Sequence, residues 1–276
     1  MNAALWLKPL LGLACALAFL AALRGMVARK TPKAVSPVAD APSATALQKI
    51  AHARRLLACA WLANLAVLAL NCHLAQAPAL GNMFHVMVLL PLTLPVFYLF
   101  ARRLENTDGD LLACFAGVAA VALLATLFMD TQSDWRRMPA LRSPWFVPHV
   151  FTYLLAYALL AVATALRVAD KHARHAERAS QSDTLARAGF AFLTLGLCSG
   201  ALWADEAWGN YWSWDIKEVW ALITWILYLV YFHLKKETRL SRPGAVVLLL
   251  AFAALLFTFF AVNLLPKINS LHSYAG

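Results

Sequence analysis

The stretch 244-GAVVLLLAFAALLFTFFAVNL-264 contains no ionisable side chain. At about 1.5 Å of rise per residue it makes a helix roughly 30 Å long, the thickness of a bilayer's hydrocarbon core. In lipid, a helix satisfies every backbone N–H and C=O of such a run internally, so the stretch reads as a membrane span. Seven similar runs lie at approximately 5–23, 56–76, 82–101, 111–129, 147–168, 186–204 and 217–234. The third contains Pro91 and Pro95, which a membrane helix tolerates when its neighbours satisfy the freed carbonyls. With 62% hydrophobic and only 14% charged residues and a mean hydropathy of +0.65, the composition excludes a soluble domain. The expected fold is an all-α, polytopic transmembrane bundle of about eight helices, forming one integral membrane domain over residues 1–276.

Lysine and arginine set the orientation, because loops on the cytoplasmic side carry the excess. With the N-terminus outside, the inner segments hold Arg24, Arg29, Lys30, Lys33, Lys49, Arg54, Arg55, Arg102, Arg103, Arg167, Lys171, Arg174, Arg178, Arg187, Lys235, Lys236, Arg239 and Arg242. The outer segments hold Lys8, Arg136, Arg137, Arg142, Lys217 and Lys267. Eighteen against six places both termini outside, in a multi-pass protein of a bacterial inner membrane or its equivalent. The net charge of +10 then follows from topology and attraction to anionic membrane lipid, with no need for nucleic acid. The first run lacks a basic segment before it and a small-residue cleavage site, so it reads as a retained helix. The Pro/Ala/Ser-rich stretch from Thr31 to Thr45 reads as a flexible cytoplasmic linker. Cys15, Cys59, Cys72, Cys114 and Cys198 are scattered through apolar runs without a Cys-x-x-Cys pair and read as small core residues.

The segment 208-WGNYWSWDIKEVW-220 carries four of the chain's ten tryptophans, and the orientation above puts it outside. Each indole offers a flat apolar face and one N–H donor, so Trp208, Trp212 and Trp214, gathered around Gly209, Tyr211 and Asp215, suit a planar and mostly apolar ligand. Asp215, Lys217 and Glu218 add polar groups to orient it. The alternative is an interfacial belt of aromatic residues, common wherever helices enter a membrane.

The eight histidines sort by the same topology. His52, His172 and His175 lie among cytoplasmic basic residues. His73 and His85, at the outer end of the second run and the start of the third, read as helix-packing residues bonded to carbonyls. His149 opens the fifth span and His272 follows the eighth, both on the outer face at the level of the tryptophans. Two imidazoles, one on each side of a porphyrin within aromatic walls, make a haem iron site. Each imidazole alone could equally be a satisfied interface residue. His233 ends the seventh run about 16 residues below Lys217, roughly 24 Å away along a helix, and marks a second location.

The run from Trp208 to Trp225, then Tyr231-Phe232-His233, then Leu271-His272-Ser273-Tyr274, closely resembles the CcsA (ResC) component of system II cytochrome c biogenesis. That family belongs to a haem-handling superfamily named for its tryptophan-rich "WWD" domain. The resemblance covers roughly the C-terminal half, from Ser143 onward; the earlier residues match mainly as a hydropathy pattern. Ile216 departs from the family's usual Pro after the WWD aspartate, and His85 stands where an acidic residue is expected.

What the resemblance implies is a protein that works with a CcsB (ResB)-like partner to carry haem b across the membrane. It would present the haem outside for thioether ligation to the Cys-x-x-Cys-His site of apocytochrome c, as part of a holocytochrome c synthase complex. His149 and His272 would be the external axial ligands and His233 a ligand of the transmembrane haem. Residues 205–220 would form the haem-binding loop, with Trp208, Gly209, Tyr211, Trp212, Trp214 and Asp215 against the porphyrin. The remaining alternatives are a CcmC-like protein that loads a haem chaperone, typically with six helices and no Leu-His-Ser-Tyr ending, and a non-enzymatic membrane relative.

Overall fold

The computed structural model describes residues 3–29, 44–76, 80, 83–104, 108–129, 139–169 and 176–264. His272 and its motif, His172, His175 and residues 31–43 of the expected linker lie outside the described residues. Within them, every regular element is helical: α1 (Leu7–Arg29), α2 (Ala44–Ala75), α3 (Met83–Leu104), α4 (Asp108–Leu127), α5 (Phe146–Ala169), α6 (Ala176–Trp208), α7 (Ile216–His233), the short α8 (Lys236–Leu240) and α9 (Arg242–Leu264), with 3-10 turns at Ala3–Trp6 and Pro139–Arg142. All of these α-helices except α8 are long and apolar enough to cross a membrane. The chain is a multi-pass helical membrane protein, as its apolar runs require.

Two helices begin well before their apolar runs: α2 at Ala44 and α6 at Ala176. Hydropathy marks how much of a helix lies in lipid, whereas the helix continues wherever propensity and hydrogen bonding sustain it, and the Ala-, Leu-, Gln-, Lys- and Arg-rich residues 44–55 do so. The end of the expected linker, Thr45, is therefore helical. At its far end α6 continues to Trp208, which leaves only residues 209–215 as the connection to α7. The expected loop of residues 205–220 is thus mostly two helix ends.

The chain divides into two compact units, Met1–Arg136 and Arg137–Gly276. In the first, α1 packs against α2 and α4, and α3 packs against α2 and α4. Small residues permit close approach where apolar lipid gives helices no solvent-driven reason to associate. Ala14, Ala18 and Ala21 are fully buried along one stripe of α1, and a Cβ on Gly25 would lie 3.0 Å from the Gly109 carbonyl of α4. Two side chains of α2 bond α3 close to its prolines, at carbonyls next to the ones the prolines free, those of Met87 and Pro91. Trp61 Nε1 donates to the Leu92 carbonyl at 2.9 Å and Asn64 Nδ2 to the Val88 carbonyl at 2.9 Å; these carbonyls lie three residues before Pro95 and Pro91 respectively. Asn64→Leu is expected to weaken this unit by about 1 kcal/mol, read as a lower unfolding midpoint in detergent, while substitution of the exposed Leu62 leaves the midpoint in place.

His85 is completely buried in the same unit. Its Nε2 bonds the Asn71 Oδ1 at 2.6 Å, with the Cys72 sulfur 3.8 Å away. It is a packing histidine held by a side-chain carbonyl, whereas His73 is exposed. All five cysteines are free thiols, but Cys59 and Cys198 are exposed and correct the expectation of five core residues. A face toward lipid is as apolar as a face toward protein, so composition does not separate them.

In the second unit α5 lies along α6, and α9 packs against both α7 and α5. Three glycines on α6 make the α5–α6 contact close. A Cβ on Gly189 would approach Leu160 Cγ to 2.7 Å, one on Gly196 the Tyr153 ring to 3.0 Å, and one on Gly200 the His149 ring to 2.6 Å.

Candidate functional site

The start of α5 is fastened to the end of α6 by short polar links. Ser143 Oγ donates to Glu206 Oε2 at 2.6 Å and accepts from Trp145 N at 3.2 Å. Trp203 Nε1, on a side chain almost wholly buried, donates to the Ala140 carbonyl at 2.7 Å. These bonds tie the Pro139–Arg142 turn and the first turn of α5 to the last two turns of α6.

His149 sits in that junction, with three features that govern its imidazole. The ring stacks on Trp203, centroids 5.3 Å apart and planes 21° apart, and meets the edge of Tyr153 at 4.9 Å. Its Nδ1 lies 2.9 Å from the Gly196 carbonyl. A carbonyl only accepts, so Nδ1 carries the proton and the lone pair is on Nε2, the tautomer that a metal-binding histidine needs. The third feature is Gly200, whose missing side chain leaves room for the ring. Trp208 continues the cluster, its ring 4.8 Å from that of Trp203, and Phe146 packs on Trp203 from α5 at 5.7 Å.

Beyond Trp208 the helix stops at Gly209, which has φ +78° and donates its N–H to the Asp205 carbonyl at 2.7 Å. This left-handed cap is why a glycine stands there. Trp214 adopts φ +60°, a conformation uncommon for a bulky residue, and its neighbours hold it there. Asp215 is the N-cap of α7, its Oδ1 accepting from Lys217 N at 2.9 Å. Glu218, buried, reaches back to accept from Ser213 N at 2.8 Å and Asp215 N at 3.1 Å. The carboxylates expected to orient a ligand are therefore engaged in shaping the connection.

The result presents aromatic surface. Trp214 is 70% and Tyr211 57% exposed, and Trp212 meets Trp214 edge-to-face at 5.9 Å. The buried Trp212 Nε1–H finds no acceptor among the described residues. Tyr211 donates its hydroxyl to Asp205, and that bond, reinforced by the carboxylate's charge, raises the hydroxyl above its ordinary pKa and keeps it protonated.

His233 is at the opposite end of α7, about 25 Å from its start. It is exposed, and its Nδ1 donates to the Leu229 carbonyl at 2.8 Å, which again leaves the lone pair on Nε2. The structure thus brings His149 and Trp208 together through Trp203 and pairs Trp212 with Trp214. It places Gly209 and Asp215 as helix caps, sets His233 apart, and leaves His272 outside the described residues. Trp203, Tyr153, Gly196 and Gly200 complete the His149 site without having been singled out; the glycines at 189, 196 and 200, spaced to share one face of α6, were the available signal.

Residues 80–269 match the family described as cytochrome C assembly protein. Among curated relatives, the cytochrome c biogenesis protein CcsA of Chlamydomonas reinhardtii is 32% identical over 215 residues, 71% of this chain and 60% of the relative. CcsA of Helianthus annuus is 33% identical over 234 residues, 66% of this chain and 71% of the relative. The chain spans about three fifths of the length of the Chlamydomonas and Solanum lycopersicum relatives. In fold it resembles the solved cytochrome c haem lyase CcmF, with a TM-score of 0.69 at 21% identity, covering 94% of this chain and 47% of that one. Its motifs, its helices and the match over most of its length agree: the chain belongs to the cytochrome c assembly protein family and is of the CcsA type.

Proposed function

We propose that this chain acts in cytochrome c maturation. With a CcsB/ResB-like partner it moves haem b across the membrane and presents it on the outer face for thioether ligation to the Cys-x-x-Cys-His site of apocytochrome c. The observation that carries the reading is His149. Its tautomer is set by the Gly196 carbonyl, its ring is fixed against Trp203, and it lies in an aromatic cluster that runs to Trp208. These are the attributes of an axial ligand whose second nitrogen is oriented by the protein. His272 supplies the opposite ligand, Trp212 and Trp214 give indole surface to the porphyrin, and the buried Trp212 N–H offers a donor to its polar edge. His233 ligates haem during its passage. The haem brings the vinyl groups and apocytochrome the thiols, so the task of this chain is to hold one substrate in register for the other.

The test is haem bound per protein at matched membrane abundance. Replacing Trp208, Trp212 and Trp214 together by Phe keeps aromatic bulk at the membrane surface but removes indole area and the N–H donors. At about 1 kcal/mol per position the combined change lowers haem occupancy several-fold. Trp6→Phe, in the exposed N-terminal turn, leaves occupancy unchanged. Equal haem in both proteins would make the tryptophan segment a membrane anchor and remove the support for this function.

A further inference from the structure

The end of α7 that carries His233 is held by a buried charge network. Asp183 on α6 and Arg239 on α8 are both buried. Arg239 Nη2 donates to Asp183 Oδ2 at 3.3 Å, and its Nε lies 2.7 Å from Oδ1 as an ion contact without hydrogen-bond alignment, so charge and one bond hold the guanidinium on the carboxylate. Its remaining terminal nitrogen, Nη1, donates to the carbonyls of Phe232 and Leu234, each at 3.2 Å. Those are the residues on either side of His233. Gly244, at the start of α9, lets the Arg239 backbone approach closely; a Cβ there would run into the Arg239 carbonyl. Arg187 completes the group, its Nε 3.1 Å from Asp183 Oδ2 and its guanidinium 5.5 Å from the centre of the Phe232 ring.

Buried charges are destabilising unless they are paired and hydrogen-bonded. A helix C-terminus alone is satisfied by a glycine cap or by a basic side chain at the surface. Here one guanidinium donates to a carboxylate from Nη2 and to two carbonyls from Nη1, a spread of donors that lysine, a compact point charge, does not reproduce. The His233 turn is thereby bolted to α6.

We propose that Asp183 and Arg239 are positioning residues for His233. Asp183 fixes the guanidinium, and the guanidinium, by donating on both sides of His233, holds the end of α7 so that the imidazole Nε2 meets the iron. This rests on the reading of His233 as a haem ligand.

The experiment uses the full chain, co-expressed with its membrane partner, carrying His149→Ala and His272→Ala, which remove both proposed outer ligands, so that the visible spectrum reports the haem at His233. Arg239→Lys keeps the charge but loses the spread of donors. It is expected to lower haem affinity at His233 roughly 10-fold, the scale on which residues behind a metal ligand act. It also converts the remaining low-spin signal to high-spin. Asp183→Asn acts in the same direction.

Arg167→Lys is the control for a merely structural effect. Arg167 is equally buried and bonds the Leu240 and Ser241 carbonyls at 3.0 and 2.7 Å, but makes no bond to the residues flanking His233. It is expected to keep the low-spin spectrum. A full-occupancy low-spin spectrum in Arg239→Lys, or the same spectral change in Arg167→Lys, would overturn the proposal while leaving His233 as a ligand. Retention of this haem by His233→Ala would instead overturn the ligand assignment and the proposal with it.

Discussion

A chain carrying His149→Ala is expected to mature no detectable cytochrome c, and Gly200→Val is expected to reproduce that loss without changing the proposed ligand. The first change removes the proposed axial nitrogen. The second acts through space: even the first carbon of a side chain at position 200 would sit 2.6 Å from His149 Nδ1 and 2.7 Å from Cε1. The ring must then move, which breaks its bond to the Gly196 carbonyl and its stack on Trp203. Imidazole in the medium distinguishes the two variants. It enters the space vacated in His149→Ala and restores part of the holocytochrome, but it does not rescue Gly200→Val, where the valine side chain takes up that space. Alanine at Gly12 or Gly117, where a Cβ meets nothing within 4 Å, is neutral or slightly stabilising, as expected for a helix interior. Holocytochrome at normal levels in Gly200→Val would mean that the close α5–α6 approach has no bearing on the ligand.

His233→Ala is expected to abolish maturation by a different route. The residue is exposed at the far end of α7, so truncation removes little packing and the protein should accumulate normally. Haem made inside the cell no longer reaches the outer site, yet haem supplied from outside still binds there, because about 25 Å of helix separates the two locations. The measurement is the low-spin spectrum of membranes from the mutant with and without external haem. If external haem also fails to bind, the loss is one of folding and His233 has no separate role in transfer.

The eight spans and the tryptophan-rich segment were legible directly, for a physical reason. A membrane demands a fixed length of apolar chain, and a cluster of indoles in one short segment is too unusual a composition to need coordinates. Helix ends were less legible. The apolar run of α6 begins about ten residues after the helix does, and Trp208 belongs to that helix, because lipid burial and helical hydrogen bonding stop at different places. Asp215 and Glu218 stood out in the sequence only by their proximity to the tryptophans, and that they form a capping pair is read from the geometry alone. Cys59 and Cys198 show the same limit from another side, since an apolar environment looks alike whether protein or lipid provides it.

By itself the sequence determined that this is an all-helical membrane protein, which family it belongs to, and which histidines and tryptophans are candidates for its work. Those are properties of runs and motifs, set by local composition. Only the tertiary structure decided which residues serve the candidates. Trp203, Gly196 and Gly200 meet His149 because two helices approach across missing side chains, and Arg239 meets the His233 turn because Asp183, 56 residues away in sequence, turns its guanidinium there. Such contacts depend on the direction of side chains between helices, which no single run of sequence contains.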